Sequence, residues 1–367
     1  MRFRMCHLKS RFPLLALLVA LLLFGFLFAS YNIAPFSLQP SDTSTTYEPS
    51  ENILVVPNGY ESLKSTNRKF HVALTATAVP YSQWQSLVAY YSYKKFKDMP
   101  RSDMGDFTRI LHSGEADSLM DEIPTFIVHK LPDGRDRGYG PLNRPWAFAQ
   151  WLELASIEEE YVMMMEPDHI FVKPMPNLAF GDIPIGYKFF YITPVEKASL
   201  LRKFYPEEEG PITNIDPIGN SPAIMKKGLL KKLTTTWVSL STKMKDDPEC
   251  DKELEWVLEM YAYAVSAALH GIRHILFKDL MVQPPIDTKV GNAYIIHYTY
   301  GMDYSLKGKR LRPGIRGEWR FDKRSYLERA PPKNLSMPPD GVPETVVTVL
   351  AMINEASASI PAWDDLR

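Results

Sequence analysis

The sequence predicts an α/β fold in which helices flank a mostly parallel sheet. Apolar segments of strand length alternate along the chain with segments of helical periodicity, an order typical of such sheets. The clearest strand is residues 161–165, Tyr-Val-Met-Met-Met, because successive apolar residues indicate burial on both faces. About 300 residues follow position 65, which is enough for one domain of this kind.

The first predicted element is a transmembrane anchor at residues 12–29, an uncharged apolar run of 18 residues behind a basic tail, 1–11. Such a run is just long enough for a thin bilayer, which needs about 17–25 residues. The basic tail should stay cytoplasmic, so the C-terminus lies on the far side in a single-pass type II topology. A signal peptide cleaved near Ala29-Ser30 is the alternative, although the bulky residues 26–28 do not favour cleavage.

Residues 30–65 are predicted to be a stem, and 66–367 the globular catalytic domain. The stem is rich in serine, threonine and proline and lacks the pattern of a buried core. Beyond the basic tail 38 basic residues face 43 acidic ones, a net charge of about −5, which argues against nucleic-acid binding. Cys6 and Cys250 are the two cysteines, and the predicted membrane separates them, so no disulfide is expected. Cys250 is interpreted as a packing residue.

Within the globular region the pattern predicts elements in a regular order. The expected strands are Phe70–Leu74, Thr125–Val128, 161–166, Phe189–Ile192 and Tyr294–Tyr298. The expected helices are 83–97, one capped by Asn143 with Pro145 in its first turn, one from Asp247-Pro248 to Gly271, and 344–359.

The strand at 161–165 is followed by the acidic triplet Glu166-Pro167-Asp168, with His169 next. Pro167 cannot donate to a sheet ladder, so the strand should end there. Ligands of open α/β sheets bind beyond the carboxyl ends of the strands, and hard cations take carboxylate oxygens and bridge substrate phosphates. The triplet therefore suggests a metal-dependent transferase that uses a sugar nucleotide. An acidic turn without chemistry is the alternative.

Several long segments resemble the plant hydroxyproline O-arabinosyltransferase family, and the resemblance runs from about Phe70 to Trp363. The segments that carry it include FHVALTAT, SDMGDFTRILHSG, DRGYGPLNRPWAFAQWLE, EEEYVMMMEPDHIFVKPMPNL, IIHYTYG and GEWRFDKRSY. The peptidyl-serine galactosyltransferases of plants look like more distant relatives that share the EPDH element.

The resemblance implies a glycosyltransferase of the GT-A type, anchored in the Golgi membrane with its catalytic domain in the lumen. It implies UDP-β-L-arabinofuranose as the donor and Mn²⁺ as the expected divalent metal. L-Arabinofuranose would be transferred with retention to the 4-hydroxyl of hydroxyproline, in extensin-type wall proteins and secreted peptides.

Physical chemistry then suggests roles for particular residues. Asp168 is the first choice for a metal ligand, followed by His297 and Glu166. Arg144 and Arg109 are candidates for gripping the diphosphate, each with a structural ion pair as the alternative. Thr75, Ala76 and Thr77 follow the first strand, where the nucleoside of the donor would sit.

A retaining reaction needs either a carboxylate nucleophile or a same-face mechanism in which the leaving phosphate acts as the base. Asp216, Asp247 and Glu259 are the candidate carboxylates, and the sequence does not choose among them. Trp84, Trp146 and Tyr300 are aromatic candidates for stacking on sugar or peptide, although large aromatic residues usually belong to the core. Two other functions stay open: a UDP-galactose-dependent peptidyl-serine transferase, and a membrane-anchored binding module without catalysis.

Overall fold

A computed structural model of the protein describes residues 68–132 and 134–366. The predicted tail, anchor and stem, residues 1–65, lie outside the described residues. In the part that is described, no helix has both the length and the apolar character that crossing a bilayer demands.

The strands fall into one large sheet and two small ones. In chain order they are β1 (Phe70–Ala76), β2 (Met104–Leu111), β3 (Thr125–Ile127), β4 (Tyr161–Met165), β5 (His169–Phe171), β6 (Ile185–Lys188), β7 (Ile218–Lys226), β8 (Ile275–Leu276), β9 (Met281–Val282), β10 (Ile295–His297), β11 (Met302–Tyr304) and β12 (Trp319–Phe321). The large sheet has the order β3-β2-β1-β4-β7-β6-β8.

All strands of the large sheet except β7 run in one direction. β1 pairs in parallel with β2 and β4, and β2 with β3. β7 is antiparallel to both β4 and β6, and β8 is parallel to β6. The carboxyl ends of β1, β2, β3, β4, β6 and β8 therefore share one edge of the sheet, which we call the carboxyl edge. The prediction of a mostly parallel sheet is confirmed.

Helices cover the sheet as predicted. They are α1 (Pro80–Phe96), α2 (Asn143–Leu154), α3 (Ala198–Leu201), α4 (Lys227–Asp246), α5 (Pro248–Leu254), α6 (Leu258–Leu269) and α7 (Glu344–Ser359). α4 packs against α2 and α6, while α1 packs against β5 and α7. Buried tryptophans, among them Trp151 and Trp237, fill the core between these layers.

The segment predicted as one helix from Asp247 to Gly271 is interrupted. Asp247 caps it as expected, since its carboxylate accepts hydrogen bonds from the backbone N–H groups of Glu249 and Cys250. Glu255 then takes φ 44° and ψ −123°, which no helical residue adopts, and a short 3₁₀ turn follows before α6 begins. Gly271 ends the second helix with φ 65°. The apolar periodicity continues through the break, so the sequence did not reveal it.

Other predictions on single elements were wrong or missed. Phe189–Ile192 is not a strand but the turn after β6, in which Phe189 and Ile192 are buried and Phe190 is exposed. The side chain of Asn143 does not cap α2; its Oδ1 accepts from the N–H of Leu131 at 2.9 Å. β2, β7 and α4 were not predicted. β7 contains Gly219, Asn220 and Pro222, residues that disfavour a strand unless neighbours on both sides fix it.

The small sheets bring the C-terminal part of the chain onto the carboxyl edge. β10 lies between β5 and β9, antiparallel to β5, with His297 opposite His169. His297 therefore reaches Asp168 through the antiparallel pairing of β10 with β5 in a small sheet. β11 and β12 form a hairpin-like pair, and the 3₁₀ turn that follows β12 begins at Lys323.

Candidate active site

Polar side chains gather where strands of the large sheet end. Thr77 follows β1, His112 follows β2, and Glu166 and Asp168 follow β4. The reversal of β7 does not disturb this, since its amino end lies at the same edge. This edge is where open α/β sheets bind their ligands.

The first group of side chains at this edge is the Asp168 cluster, made of Asp168, His169, His297 and Lys323, all buried. Oδ2 of Asp168 accepts a hydrogen bond from Nε2 of His297 at 3.0 Å and forms an ion pair with the ammonium group of Lys323. The two imidazole rings lie edge to face with their centroids 4.7 Å apart. The cluster thus joins the segment after β4 to two segments more than a hundred residues later in the chain.

The protonation states of Asp168 and His169 suit metal binding. Burial by itself raises the pKa of Asp168, but His297 and Lys323 outweigh it and hold that pKa well below its usual range. Burial lowers the pKa of His169 well below its ordinary value, and His297 adds to the effect. At neutral pH Asp168 is therefore a carboxylate and His169 a neutral imidazole, which are the forms that ligate metals.

The geometry of these residues also fits a divalent metal. One donor atom from each of Asp168, His169 and His297 lies within 4.8 Å of the others. Nδ1 of His297 and Nε2 of His169 are buried and make no hydrogen bond to any described residue. Two imidazole nitrogens and a carboxylate oxygen form a donor set that first-row divalent metals accept. Glu166, the third predicted ligand, is not part of this group.

The second group is the Arg144 cluster, made of Arg144, Glu166 and Glu259. Arg144, in the first turn of α2, donates from both terminal nitrogens to the two oxygens of Glu166, at 2.9 and 3.1 Å. The same guanidinium lies 3.6 Å from Oε2 of Glu259, which the first turn of α6 contributes. The hydroxyl of Tyr139 accepts from the backbone N–H of Glu259 at 3.3 Å. The interruption between α5 and α6 therefore sits directly beside this cluster.

Glu259 has a protonation state that is unusual for a carboxylic acid near neutral pH. It is 1 % exposed, and its Oε1 has no hydrogen-bond partner among the described residues. Burial raises the pKa of Glu259 to about 8, although Arg144 opposes the shift. Burial also lowers the pKa of His112 to about 4, with Arg144 adding to the effect. Near pH 7 a protonated Glu259 and a neutral His112 thus flank the charged pair of Arg144 and Glu166.

Three predicted site residues have structural partners instead. Arg109 is fully buried and bonds bidentately to Asp117 at 2.8 and 2.5 Å, which is the structural ion pair named as its alternative role. Asp216 accepts from Nε of Arg273 at 3.0 Å and from the backbone N–H of His274 at 2.8 Å. Asp247 caps α5 and pairs with Lys203. Of the three predicted catalytic carboxylates, Glu259 is the one that the fold leaves in the site.

The proposed nucleoside position at the end of β1 stays a prediction. Thr75 and Ala76 are still strand residues, and Thr77 follows with its backbone N–H donating to Oγ of Ser82 at 3.1 Å. The hydroxyl of Thr75 is buried and makes no hydrogen bond within the described chain. Trp84, by contrast, is a core residue whose Nε1 donates to the carbonyl of Tyr326.

Sequence reasoning did not assign His169, Lys323, His112 or Tyr139 to the site. His169 directly follows the acidic triplet, and Lys323 lies in one of the segments that carry the family resemblance, so a signal existed for both positions. Neither residue type indicates a role by itself, because a lone histidine or lysine is common on any surface. Their burial next to Asp168 supplies the missing information.

Two family models cover most of the globular region. The hydroxyproline O-arabinosyltransferase family N-terminal domain matches residues 70–276, and the C-terminal domain of the same family matches residues 294–364. The Asp168 cluster takes Asp168 and His169 from the first region and His297 and Lys323 from the second. The site therefore forms only when the two regions pack together.

Curated relatives agree with these matches. The chain is 59 % identical to hydroxyproline O-arabinosyltransferase PLENTY of Lotus japonicus over 359 residues, 96 % of each chain. It is 57 % identical to hydroxyproline O-arabinosyltransferase RDN2 of Medicago truncatula over 358 residues, 95 % of this chain and 98 % of that one. A peptidyl serine alpha-galactosyltransferase of Arabidopsis thaliana is 24 % identical over 290 residues, 74 % of this chain but 33 % of the relative. The prediction from the sequence motifs is confirmed: the chain belongs to the hydroxyproline O-arabinosyltransferase family of glycosyltransferases.

Proposed function

We propose that this protein transfers L-arabinofuranose from UDP-β-L-arabinofuranose to the 4-hydroxyl of peptidyl hydroxyproline, with retention of the anomeric configuration. The names of the relatives supply the reaction class. The observation that carries the proposal is the Asp168 cluster, a buried carboxylate with two imidazoles and a lysine at the carboxyl edge of the sheet. A GT-A type of fold and a catalytic domain of residues 66–367 belong to the same proposal.

Stabilising the leaving group is the main task of such a site. When the bond between the sugar and UDP breaks, negative charge develops on the β-phosphate, and preorganised positive charge offsets it. Asp168, His169 and His297 would hold the metal, for which we propose Mn²⁺, and that ion would supply Lewis-acid stabilisation of the diphosphate. Lys323 contributes a fixed ammonium group beside Asp168, and a second positive charge at this place suits an anionic ligand.

The transfer itself forms one bond and breaks one. The hydroxyproline oxygen bonds to the anomeric carbon, and the electron pair of the broken bond stays on the β-phosphate oxygen. In the same-face mechanism that oxygen also takes the hydroxyl proton, so no enzyme base is needed. The alternative is a covalent intermediate on a carboxylate, for which Glu259 is the remaining candidate. With its pKa raised to about 8 by burial, Glu259 is protonated near pH 7, which favours the same-face route.

The test is a transfer assay on the full-length protein in detergent micelles. UDP-arabinofuranose and a hydroxyproline peptide should give an arabinosylated peptide, more with Mn²⁺ than with EDTA. NMR of the product should show the anomeric configuration of the donor. Absence of both transfer and donor hydrolysis, with Mn²⁺ present, would refute the proposal.

A second candidate is transfer of galactose from UDP-galactose to peptidyl serine. The weaker similarity to a peptidyl serine alpha-galactosyltransferase favours it. Assaying both donors against hydroxyproline and serine peptides separates the two reactions. A protein that binds the donor but transfers neither sugar would instead match the non-catalytic binding module.

We also propose that the protein is a single-pass type II protein of the Golgi membrane, acting on extensin-type and other secreted hydroxyproline proteins. The basis is the basic tail before the apolar run at residues 12–29. Alkaline carbonate extraction should leave the full-length protein in the membrane pellet. A released protein with a new N-terminus near Ser30 would show a cleaved signal peptide.

A further inference from the structure

Three aromatic side chains beside the candidate active site form a continuous surface, which we call the aromatic strip: Phe190, Tyr191 and Trp256. Phe190 is 54 % exposed and Trp256 47 % exposed, unusual values for large aromatic residues. The rings of Phe190 and Tyr191 have their centroids 5.0 Å apart, and those of Tyr191 and Trp256 are 5.1 Å apart. The strip is therefore one surface of touching rings rather than scattered side chains.

Two turns of the backbone carry the three aromatic residues of this strip. Phe190 and Tyr191 lie in the turn that follows β6, at the carboxyl edge of the large sheet. Trp256 lies in the 3₁₀ turn between α5 and α6, directly after Glu255 with its positive φ of 44°. A non-glycine residue in that conformation costs roughly 1–3 kcal/mol, so the surrounding fold must hold it in place. Both features are the places where the sequence pattern predicted regular structure.

The strip is continuous with the Arg144 cluster. The hydroxyl of Tyr139 donates to the carbonyl of Trp256 at 2.9 Å and accepts from the backbone N–H of Glu259 at 3.3 Å. Tyr191 is the least exposed member of the strip: burial raises its pKa first of all, and Tyr300 and then Glu166 and Asp168 add to the rise. The strip therefore runs from solvent to the Arg144 cluster.

We propose that the aromatic strip binds the acceptor peptide in polyproline II conformation and so selects hydroxyprolines that have proline-type neighbours. This inference rests on the proposed function, to which it adds the location of the bound acceptor peptide. Chains rich in proline-type residues adopt this conformation before binding, and aromatic-lined surfaces recognise it. Because the two centroid distances are 5.0 and 5.1 Å, the centroids of Phe190 and Trp256 lie at most about 10 Å apart. One polyproline II turn covers about 9 Å, so the strip offers rings for about one turn.

Direct binding provides a test that does not depend on catalysis. The probe is a fluorescently labelled peptide with one hydroxyproline between prolines, and the matched peptide has glycines in place of the prolines. Fluorescence anisotropy with the full-length protein in micelles should show tighter binding of the first peptide. Trp256→Ala and Phe190→Ala should each weaken that binding about fivefold or more, as expected for an exposed aromatic anchor.

The enzymatic version separates acceptor binding from chemistry. In both variants KM for the proline-flanked peptide should rise about fivefold or more, while hydrolysis of the donor by water stays at the wild-type rate. Trp256→Phe should restore most of the binding. Leu154→Ala is the matched control, because Leu154 is exposed but ends α2, away from its first turn near the site.

Several results would overturn the inference. Unchanged affinity and KM in both alanine variants would do so, as would equal losses for the proline-flanked and glycine-flanked peptides. A change in oligomeric state on sedimentation, with peptide affinity unchanged, would show instead that a second copy of the chain covers the strip. If the wild type shows neither transfer nor donor hydrolysis, the proposed function fails, but the anisotropy comparison still decides whether the strip binds such peptides.

Discussion

Arg109 and Arg144 were equal candidates for holding a diphosphate on the sequence alone. Each forms an ion pair with a carboxylate, but the surroundings of the two pairs differ. Arg109 on β2 is 0 % exposed and bonds to Asp117 and to Oγ1 of Thr125. The side chain of Arg144 is 23 % exposed and is shared between Glu166 and Glu259. Both pairs have bidentate geometry, so the residue types and distances do not distinguish them.

The two ion pairs differ in the hydrogen-bonding groups that they leave available to a ligand. Asp117 is held by Arg109 strongly enough that its pKa falls below its usual value, although burial raises it. The Arg144 cluster instead holds a protonated Glu259 with an oxygen that has no partner among the described residues. A saturated buried pair supports the fold, whereas an unsaturated pair at the edge of a sheet can exchange partners with a substrate.

The same distinction divides the carboxylates that the sequence proposed for the site into two groups. Asp216 and Asp247 have their oxygens engaged by backbone N–H groups and cations of the fold. Among the described residues, by contrast, Oε1 of Glu259 and two imidazole nitrogens beside Asp168 make no hydrogen bond. The predictions below test whether this distinction between saturated and unsaturated groups separates stability from chemistry.

The largest expected effect belongs to Asp168. Asp168→Asn should reduce transfer roughly a thousandfold or more, because the variant lacks the charge that we propose holds the metal. The variant also leaves Lys323 buried without its carboxylate, so a stability loss of about 3 kcal/mol is expected alongside. Initial rates and urea unfolding would measure both effects.

A double variant separates the two effects of that change. Asp168→Asn combined with Lys323→Met removes the unpaired ammonium, so stability should recover while activity does not. Asp247→Asn is the matched control, because asparagine also caps a helix and transfer should stay within about threefold of wild type. Near-normal activity in a folded Asp168→Asn protein would remove Asp168 from the site.

The two arginines test the comparison directly. Arg109→Met leaves Asp117 buried and unpaired and should cost about 3–5 kcal/mol of unfolding free energy, while kcat of the folded fraction is kept. Arg144→Met should cost less stability but lower kcat by about a hundredfold, because the variant loses a charge that we propose contacts the diphosphate. Urea unfolding and active-fraction kinetics on both variants give the answer. If the two variants behave alike, burial does not separate the roles.

His297 tests whether the Asp168 cluster holds metal. His297→Ala should raise the Mn²⁺ concentration needed for half-maximal activity by about tenfold or more, with a small change in metal-free melting temperature. A purely structural histidine gives the reverse result: lower metal-free stability and an unaltered Mn²⁺ titration. Thr236 pairs with the exposed His270, so His270→Ala is the control that should alter neither quantity.

The last prediction is a pH dependence of stability that comes from Glu259. Its pKa in the folded state, about 8, lies above the ordinary 4.5, so the folded protein retains a proton that the unfolded chain releases. The contribution of Glu259 to the free energy of unfolding is fully present below about pH 4.5. It decreases as the pH rises and is lost by about pH 8. Glu259→Gln should therefore flatten the fall of unfolding free energy between pH 5 and pH 8, by up to about 1.4 kcal/mol per pH unit.

Urea unfolding without metal at three pH values would measure that slope. Glu255→Gln is the matched control, because its side chain is exposed. An identical slope in wild type and Glu259→Gln would mean that Glu259 is ionised in the folded protein. It would then be available as a nucleophile.

Some of this protein was determined by its sequence alone. The run of apolar residues at 161–165 predicted a buried strand and Pro167 predicted its end, and the strand indeed ends at Met165, just before Asp168. The periodicity of residues 344–359 and the glycine at 271 likewise fixed a helix and a helix end. Local pattern decides such features because they depend on neighbours within a few residues.

Tertiary structure alone decided which polar residues meet and which are already satisfied. Lys323 and His297 reach Asp168 only because the small sheets fold back onto the large one, at sequence separations of 155 and 129 residues. β7 and the break at Glu255 contradict local preference, and pairing on both sides of β7 stabilises that strand. The aromatic strip has the same cause: its residues have the pattern of an apolar core, and only the packing of the whole chain leaves Phe190 and Trp256 exposed.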